Sequence, residues 1–160
     1  MTEATVYIGL GANLGDVRAT LSAAYADLQQ LPGTHGHRCS PWFSSRPVDA
    51  CGPDYLNAVA CFETALSPQS VLAELQRIEA RHGRERPYRN APRTLDLDLL
   101  LHGQVSLNTP DLTVPHPRLH ERAFVVMPLA SLAPDLIVPG RGAIRWLLPA
   151  LAGQVIEQVC

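Results

Sequence analysis

The sequence predicts an α+β fold in which strands and helices follow the order β-α-β-β-α-β, with a short C-terminal extension. The chain has 160 residues, the length of one domain, and 46% of them are apolar, which is enough for a proper core. The apolar spacing also switches repeatedly between strand-like alternation and the longer period of helices. Neither an internal repeat nor a linker-like segment interrupts it, so we expect residues 1–160 to form a single domain.

A strand and a helix account for the start of the chain. Thr5–Leu10 is a β-branched and apolar run typical of a buried strand. Asp16 suits the N-cap of a helix that continues to about Leu31, with apolar residues recurring on one face. Between them, Gly9–Gly15 has the spacing G-x-G-x-x-x-G, one residue too long for a dinucleotide-binding fingerprint. We interpret it as a tight strand-to-helix turn.

Two more strands, a second helix and a final strand follow. Arg38–Ser44 predicts the second strand, and Tyr55–Thr64 alternates as the third. Ser67–Pro68 suits the N-cap and first position of a helix that ends near His82. A polar loop then leads into the fourth strand, Thr94–Leu101.

This order is that of a ferredoxin-like domain, an antiparallel sheet with both helices on one face. The other face of the sheet would then be free for function. The C-terminal extension is rich in proline, and short helices are expected near Pro117–Arg122 and Ile144–Leu151. On the sequence alone, another α+β topology stays open as the alternative.

The composition excludes several functional classes. A formal net charge of −2 argues against a general nucleic-acid or acidic-membrane binder. All 13 cationic side chains are arginine, so any anion site must use guanidinium and backbone N–H groups, and a lysine-containing P-loop is excluded. The four cysteines lack metal-binding spacing and are expected to be reduced thiols. Met1–Val6 shows no secretory signal pattern, and we expect a cytoplasmic location.

The sharpest signal for chemistry is an acidic pair in the last predicted strand. Strand side chains alternate between two faces, so Asp96 and Asp98 share one face while the neighbouring leucines point to the core. Their Cα atoms would lie roughly 6.7 Å apart, and two carboxylates at this spacing can bind one Mg²⁺ ion or a pair of ions. A solvated strand face that merely tolerates two acids stays the alternative.

Arginine and histidine side chains flank this acidic pair. Arg77 and Arg81 are spaced four residues apart on the second helix and can pair with nearby glutamates. The loop after that helix contains further guanidinium groups that no helical face explains: Arg84, Arg86, Arg89 and Arg93. A second cationic group follows Pro115 and contains His116, Arg118, His120 and Arg122. Cationic side chains around a predicted metal site favour a polyphosphate ligand.

These motifs resemble those of the hydroxymethyldihydropterin pyrophosphokinase family of folate biosynthesis. The resemblance rests on five blocks in the family's order: Gly9–Gly15, Pro53–Ala58, Gln76–Glu79, Pro92–Asp98 and Pro115–Phe124. The fourth block, P-R-T-L-D-L-D, is highly specific. The resemblance implies the ferredoxin-like fold and transfer of the β,γ-diphosphate of ATP to the hydroxymethyl group of 6-hydroxymethyl-7,8-dihydropterin, which releases AMP.

The resemblance also implies roles for single residues. Asp96 and Asp98 are expected to hold two Mg²⁺ ions, and Arg84 and Arg93 are expected to act with them in catalysis. The ATP-binding residues are expected to be Gln76, Glu79, Arg84, Arg86, Arg93, His116 and Arg122. The pterin-binding residues are expected to be Ser45, Val48, Tyr55, Asn57 and Phe124. The expected partners are ATP and the pterin, without nucleic acid or membrane, and a monomer is expected although a dimer stays open.

Two other functions stay open. A ferredoxin-like domain can bind RNA on its open sheet face, but this predicts aromatic side chains on the central strands and a basic surface. Only 6% of the residues are aromatic, and the net charge is negative. A member of the same family that acts on a different hydroxymethyl heterocycle is the second alternative.

Overall fold

The computed structural model describes residues 3–45, 54–83 and 95–159. Its strands and helices are β1 (Ala4–Ala12), α1 (Val17–Gln29), β2 (Thr34–Cys39), β3 (Trp42–Ser45), β4 (Tyr55–Thr64), α2 (Pro68–Gly83), β5 (Asp96–His102), β6 (Leu107–Asn108), β7 (Thr113–Val114), α3 (Ala123–Leu132), β8 (Ile137–Val138), β9 (Gly142–Ala143) and β10 (Ile156–Val159). Short 3-10 helices cover Leu119–Glu121, Ile144–Leu147 and Pro149–Leu151. Within these ranges, no helix combines the length and the apolar character that a membrane crossing requires.

The main sheet has the strand order β10-β3-β4-β1-β5, with β2 also beside β4, and every pair is antiparallel. This confirms the predicted ferredoxin-like order. The predicted second strand is two strands, because Pro41 has no N–H group to continue the ladder. Beside it, the N–H group of Ser40 donates to the carbonyl of Val59 at 2.8 Å. β3 pairs with the first half of β4, and β2 pairs with the second half.

Both predicted helices pack on one face of the sheet, as expected. Their N-caps are the predicted ones, since Asp16 accepts the N–H group of Ala19 at 3.1 Å and Ser67 accepts that of Ser70 at 3.1 Å. The core on this face contains residues from α1, α2, β1, β4 and β5, among them Leu21, Leu28, Leu75, Ile78, Ile8, Phe62, Leu97 and Leu99. The alternation of β4 predicted from the sequence is therefore confirmed.

The second face of the sheet is less open than the sequence predicted. The C-terminal extension places α3 on it, where Val126 and Leu129 pack with Tyr7, Val59 and Leu100 in a second buried cluster. The sequence did not reveal α3 because it is apolar on almost all sides, so it shows no amphipathic period, and because it contains Pro128. Within the described residues, α3 packs on β3 and β4 of this face, so a site on it has to be sought toward β1 and β5.

The glycine-rich segment after the first strand also differs from its interpretation as a turn. Gly9 and Gly11 lie inside β1 and pair with residues on both neighbouring strands. Only Gly15 lies in the turn before α1, with a φ angle of +68° that favours glycine. Gly9 and Gly11 are therefore part of the sheet surface and do not belong to the turn that joins β1 to α1.

Candidate active site

Two glycines near the end of β1, Gly9 and Gly11, leave part of the second face of the sheet without side chains. Gly11 lies between Asn57 on β4 and Asp96 on β5, and Gly9 lies opposite Asp98 on β5. Directly paired strand residues share a face, so these side chains rise from the same side of the sheet. Because Gly11 has no side chain, it forms the floor of a trough that Asn57 borders on one side and Asp96 borders on the other, whereas the Leu100 side chain packs against Gly9.

The two aspartates are positioned by the strand and by a helix. Asp96 and Asp98 are half-buried, while Leu97 and Leu99, which alternate with them, are buried in the core of the first face. The N–H group of Leu97 donates to Glu79 Oε2 of α2 at 2.8 Å. This bond fixes the backbone between the two carboxylates, so Glu79, an expected ATP ligand, also fixes the strand that carries the acidic pair.

The carboxylates of Asp96 and Asp98 can hold Mg²⁺ when phosphate oxygens of the substrate complete its coordination. Among the described residues, no group of three or more acidic, histidine or cysteine side chains is arranged to hold a metal ion. Mg²⁺ is usually bound by one or two carboxylates, with water and substrate phosphates completing its coordination. A pair of carboxylates on one strand face therefore suits a magnesium–polyphosphate complex better than a metal site made of protein ligands alone.

A cavity of about 260 Å³ opens beside Asp98. Leucines from three parts of the chain contribute to its walls: Leu72 of α2, Leu99 of β5 and Leu112. Asp98 and His116 provide charged and polar groups on the same cavity. Thr109, Asp111 and Thr113 add further polar groups, so the cavity offers both apolar walls and hydrogen-bonding groups to an organic ligand.

His116 is held as a neutral hydrogen-bond donor. Burial is the main cause that lowers the pKa of His116 below its usual value of 6.5. The positive charges of Arg122 and Arg118 lower this pKa further, whereas the carboxylate of Asp98 opposes them. The N–H group of Arg118 donates to His116 Nδ1 at 3.2 Å, so in the neutral ring Nε2 carries the proton. His116 can therefore donate one hydrogen bond to an anionic ligand.

The opposite border of the trough is a buried polar pair with an aromatic neighbour. Ser45 Oγ donates to Asn57 Oδ1 at 2.6 Å. Tyr55 lies two residues before Asn57 on the same face of β4, with its ring close to Gly11. Burial raises the pKa of Tyr55, and the negative charge of Asp96 raises it further, so the phenol stays protonated beside the acidic pair.

Arg122 and Phe124 stand together at the start of α3. The guanidinium of Arg122 lies 5.5 Å from the centroid of the Phe124 ring, which is a cation–π distance. Gln154 from the C-terminal extension anchors this segment: its Oε1 accepts the N–H group of Ala123 at 2.8 Å, and its Nε2 donates to the carbonyl of Glu121 at 2.8 Å. The sequence analysis missed Gln154, since nothing in the pattern of the extension marks it.

Of the ten expected site residues that the structure describes, five lie around the glycines of β1: Asp96, Asp98, Tyr55, Asn57 and Ser45. His116 lies on the cavity beside Asp98 at the β5 edge of the sheet. Gln76 is an exposed residue of α2, one turn before Glu79. Four expected site residues lie outside the described residues: Val48, Arg84, Arg86 and Arg93.

A ferredoxin-like sheet with an acidic pair between a cavity and a buried amide suits an enzyme that transfers phosphate groups to a small molecule. The model of one family matches residues 7–134: the 7,8-dihydro-6-hydroxymethylpterin-pyrophosphokinases (HPPK). The 2-amino-4-hydroxy-6-hydroxymethyldihydropteridine pyrophosphokinase of Haemophilus influenzae is 44% identical over 149 residues, which are 92% of this chain and 93% of the relative. The enzyme of the same name from Pseudomonas aeruginosa is 43% identical over 155 residues, 96% of both chains. The chain therefore belongs to the HPPK family, and the sequence-based assignment is confirmed.

Solved structures show the same fold at low sequence identity. Wild-type HPPK-DHPS of Plasmodium falciparum in complex with pteroate superposes with a TM-score of 0.72 at 11% identity, over 93% of this chain and 42% of that one. An HPPK-DHPS crystallised with substrates gives a TM-score of 0.70 at 12% identity, over 94% of this chain and 43% of the other. This chain therefore spans less than half the length of these solved chains.

Proposed function

We propose that this chain transfers the β,γ-diphosphate of ATP to the hydroxymethyl oxygen of 6-hydroxymethyl-7,8-dihydropterin and releases AMP. One observation carries the proposal: Asn57, Gly11 and Asp96 form a row across the sheet, with a donor-rich amide at one end and an acidic pair at the other. A row of this kind can hold a flat polar heterocycle at one end and a metal-bound polyphosphate at the other.

The nucleotide is assigned to the cavity beside Asp98. Its leucine walls suit the adenine ring, and the phosphates would then extend from the cavity toward the acidic pair. His116 would donate its Nε2 proton to a phosphate oxygen without adding a charge that must be desolvated. Gln76, Glu79 and Arg122 are proposed to complete this side, together with Arg84, Arg86 and Arg93, which are assigned by resemblance to the family.

Two Mg²⁺ ions are proposed to bind Asp96 and Asp98 when ATP is present. When bound, they would neutralise the phosphate charge and orient the polyphosphate for in-line attack. The chain contributes the geometry, since the bond from Leu97 to Glu79 and the burial of the alternating leucines fix the strand that carries both carboxylates. Such fixed charges stabilise a transition state without reorganising during the reaction.

The pterin is assigned to the Asn57 side of the trough. The amide would hydrogen-bond the edge of the ring, and the Phe124 ring would stack on its face. Ser45, Tyr55 and Val48 complete the proposed set, with Val48 assigned by resemblance. Placed there, the hydroxymethyl oxygen would point toward the acidic pair and the phosphates.

The reaction is a single displacement at phosphorus. The hydroxymethyl oxygen forms a bond to the β-phosphorus of ATP, and the bond from that phosphorus to the bridging α,β-oxygen breaks. AMP leaves with the bridging oxygen, and the hydroxyl proton passes to solvent. Little covalent chemistry is required of the protein, so positioning of the two substrates and charge stabilisation provide most of the acceleration.

The test is product analysis with matched variants. With ATP, Mg²⁺ and the hydroxymethyl dihydropterin, the expected nucleotide product is AMP; formation of ADP, or of no product, contradicts the proposal. Asp96→Asn and Asp98→Asn are each expected to lower turnover by at least about 100-fold while the melting temperature is kept. Asp135→Asn removes a carboxylate whose side chain is 98% exposed and serves as the control. Near-normal turnover in either site variant would remove the carboxylates from the mechanism.

We also propose that residues 1–160 act as one catalytic domain and as a monomer. Light scattering during size-exclusion chromatography should give the mass of a single chain, and the mass of a dimer would contradict this.

A further inference from the structure

Arg122 joins two helices through a single extended residue. Leu119–Glu121 is a 3-10 helix and α3 begins at Ala123, whereas Arg122 between them has φ −121° and ψ 112°. Arg122 is thus the N-cap of α3, but its guanidinium has no acceptor atom and makes no capping hydrogen bond. A positive charge at the N-terminal end of a helix is also unfavourable for the helix dipole. The guanidinium therefore does not serve α3, which points to a role outside the helix.

Gln154 of the C-terminal extension supplies the acceptor that Arg122 lacks. Its Oε1 accepts the N–H group of Ala123 at 2.8 Å, and its Nε2 donates to the carbonyl of Glu121 at 2.8 Å. A backbone N–H group can only donate and a carbonyl oxygen can only accept, so these partners define the orientation of the amide. The two bonds hold the two peptide planes that meet at the Cα atom of Arg122. One side chain therefore sets the direction in which the Arg122 side chain leaves the backbone.

The backbone of Gln154 is fixed by the second core and by the main sheet. Its N–H group donates to the carbonyl of Leu151 at 3.0 Å, and Leu151 is buried in the second cluster. Two residues after Gln154, Ile156 begins β10, which pairs with β3. Gln154 itself is exposed, so its side chain contributes little apolar packing. Its contribution to the fold consists mainly of the two hydrogen bonds to the segment around Arg122.

The guanidinium of Arg122 acts on the cavity proposed for the nucleotide. Burial is the main cause that lowers the pKa of His116, a residue of that cavity, and the positive charge of Arg122 lowers this pKa further. Arg122 is therefore within electrostatic reach of the cavity. The Phe124 ring, whose centroid lies 5.5 Å from the guanidinium carbon, restricts the arginine side chain as well.

We propose that Gln154 is a positioning residue, which holds Arg122 so that its guanidinium meets a phosphate group of the bound nucleotide. The inference rests on the proposed function, because that function assigns Arg122 to ATP. A guanidinium binds phosphate best through two parallel hydrogen bonds, so its direction matters as well as its charge. Gln154 itself is assigned no contact with either substrate.

The test is a double-mutant cycle on nucleotide affinity. Calorimetry measures the Kd for α,β-methylene-ATP with Mg²⁺ in the wild-type protein, Arg122→Ala, Gln154→Ala and the double variant. Arg122→Ala should raise the Kd at least about tenfold through loss of a hydrogen bond between charged groups. Gln154→Ala should raise it about fivefold, since a misdirected guanidinium keeps its charge but loses the paired geometry. In the Arg122→Ala background, Gln154→Ala should add less than about twofold, because it acts through Arg122.

Two further variants separate positioning from a general loss of structure. Gln154→Met keeps a side chain of similar length without the amide and should match Gln154→Ala. Gln158→Ala removes another exposed glutamine of the same C-terminal segment, on β10, and should leave the Kd unchanged. A residue that only stabilises the fold would lower the nucleotide affinity equally with and without Arg122, so the cycle distinguishes the two roles.

The outcomes separate this inference from the proposed function. An unchanged Kd in Gln154→Ala, or an undiminished effect of Gln154→Ala in the Arg122→Ala background, overturns the inference alone when the wild-type protein forms AMP. A Gln154→Ala defect confined to the KM for the pterin overturns it too, because the amide would then act through Phe124. An unchanged Kd in Arg122→Ala overturns both the inference and the proposed role of Arg122. A wild-type protein that forms no AMP overturns the proposed function, whereas coupling of the two residues in nucleotide binding would still support the inference.

Discussion

Replacing Gly11 by alanine adds one methyl group to the floor of the trough. Its Cβ would lie 3.1 Å from Asn57 Nδ2 and 4.0 Å from Tyr55 Cδ1. Ordinary van der Waals contact begins near 3.4 Å, so Asn57 must yield by about 0.3 Å. Ser45 opposes this shift, because it holds the other end of the amide at 2.6 Å.

The expected loss is confined to the pterin side. A small displacement of the amide, together with a methyl group in the trough, should raise the KM for the pterin about tenfold, because reactions of this kind depend on close positioning. The affinity for an ATP analogue should stay within about twofold, since Gly11 is not among the residues that line the cavity proposed for the nucleotide. The melting temperature should not fall, because alanine loses less backbone entropy than glycine in a strand.

Gly9→Ala is the matched control. It adds the same methyl group two residues earlier, on the same strand and the same face, but its Cβ would meet Leu100 Cδ1 at 3.5 Å, an ordinary contact. Its kinetic constants should stay within about threefold of the wild type. Steady-state kinetics with varied pterin, together with calorimetric titration of the ATP analogue, measure both variants. Equal effects of the two substitutions, or a Gly11→Ala defect in nucleotide affinity, would refute the reasoning.

Three further predictions concern the flanks of the site and the core. His116→Ala should weaken binding of the ATP analogue about tenfold through loss of one hydrogen bond to a charged group, and calorimetry that finds an unchanged Kd contradicts this. Glu79→Ala should lower the free energy of unfolding by about 1–3 kcal/mol, because it leaves the Leu97 N–H group without its acceptor. Urea unfolding measures this loss, Glu79→Gln keeps an acceptor and should lose less, and equal losses count against it. Burial raises the pKa of Cys39 from 9 to about 11, so the unfolded thiol ionises first and stability should fall as the pH rises between these values. Cys39→Ala should flatten that slope in urea titrations at several pH values, and an identical slope in both proteins would disprove the assignment.

The parts of the fold with strong local patterns were predictable from the sequence. β4 has the predicted bounds, Tyr55–Thr64, because its alternation is regular over the whole strand. The helix start at Ser67–Pro68 was also predictable, since a cap and a proline each have one physical role there. The common face of Asp96 and Asp98 follows from the strand period alone. These features depend on neighbours in sequence, which a single chain reveals.

The features that were missed depend on contacts between distant residues. The strand character of Gly9 and Gly11 is set by pairing with β4 and β5, whereas their composition is that of a turn. β10 has no strong strand pattern and forms by pairing with β3. The role of Gln154 requires the start of α3 to lie beside it, more than 30 residues away in sequence. No local rule reports such partners, so the trough became visible only in the folded chain.

The bond from Glu79 to the strand of the acidic pair also bears on how the protein behaves at high concentration. β5 ends the main sheet, and an edge strand with free backbone groups can recruit a strand from another molecule. Here the N–H group of Leu97 is taken by Glu79, and the carbonyl of Leu100 is taken by the N–H group of His116 at 2.9 Å. Two residues assigned to nucleotide binding thus also occupy backbone groups of this edge, Glu79 through its side chain and His116 through its backbone, so Glu79→Ala would free an edge N–H group for pairing with another strand, whereas His116→Ala would not.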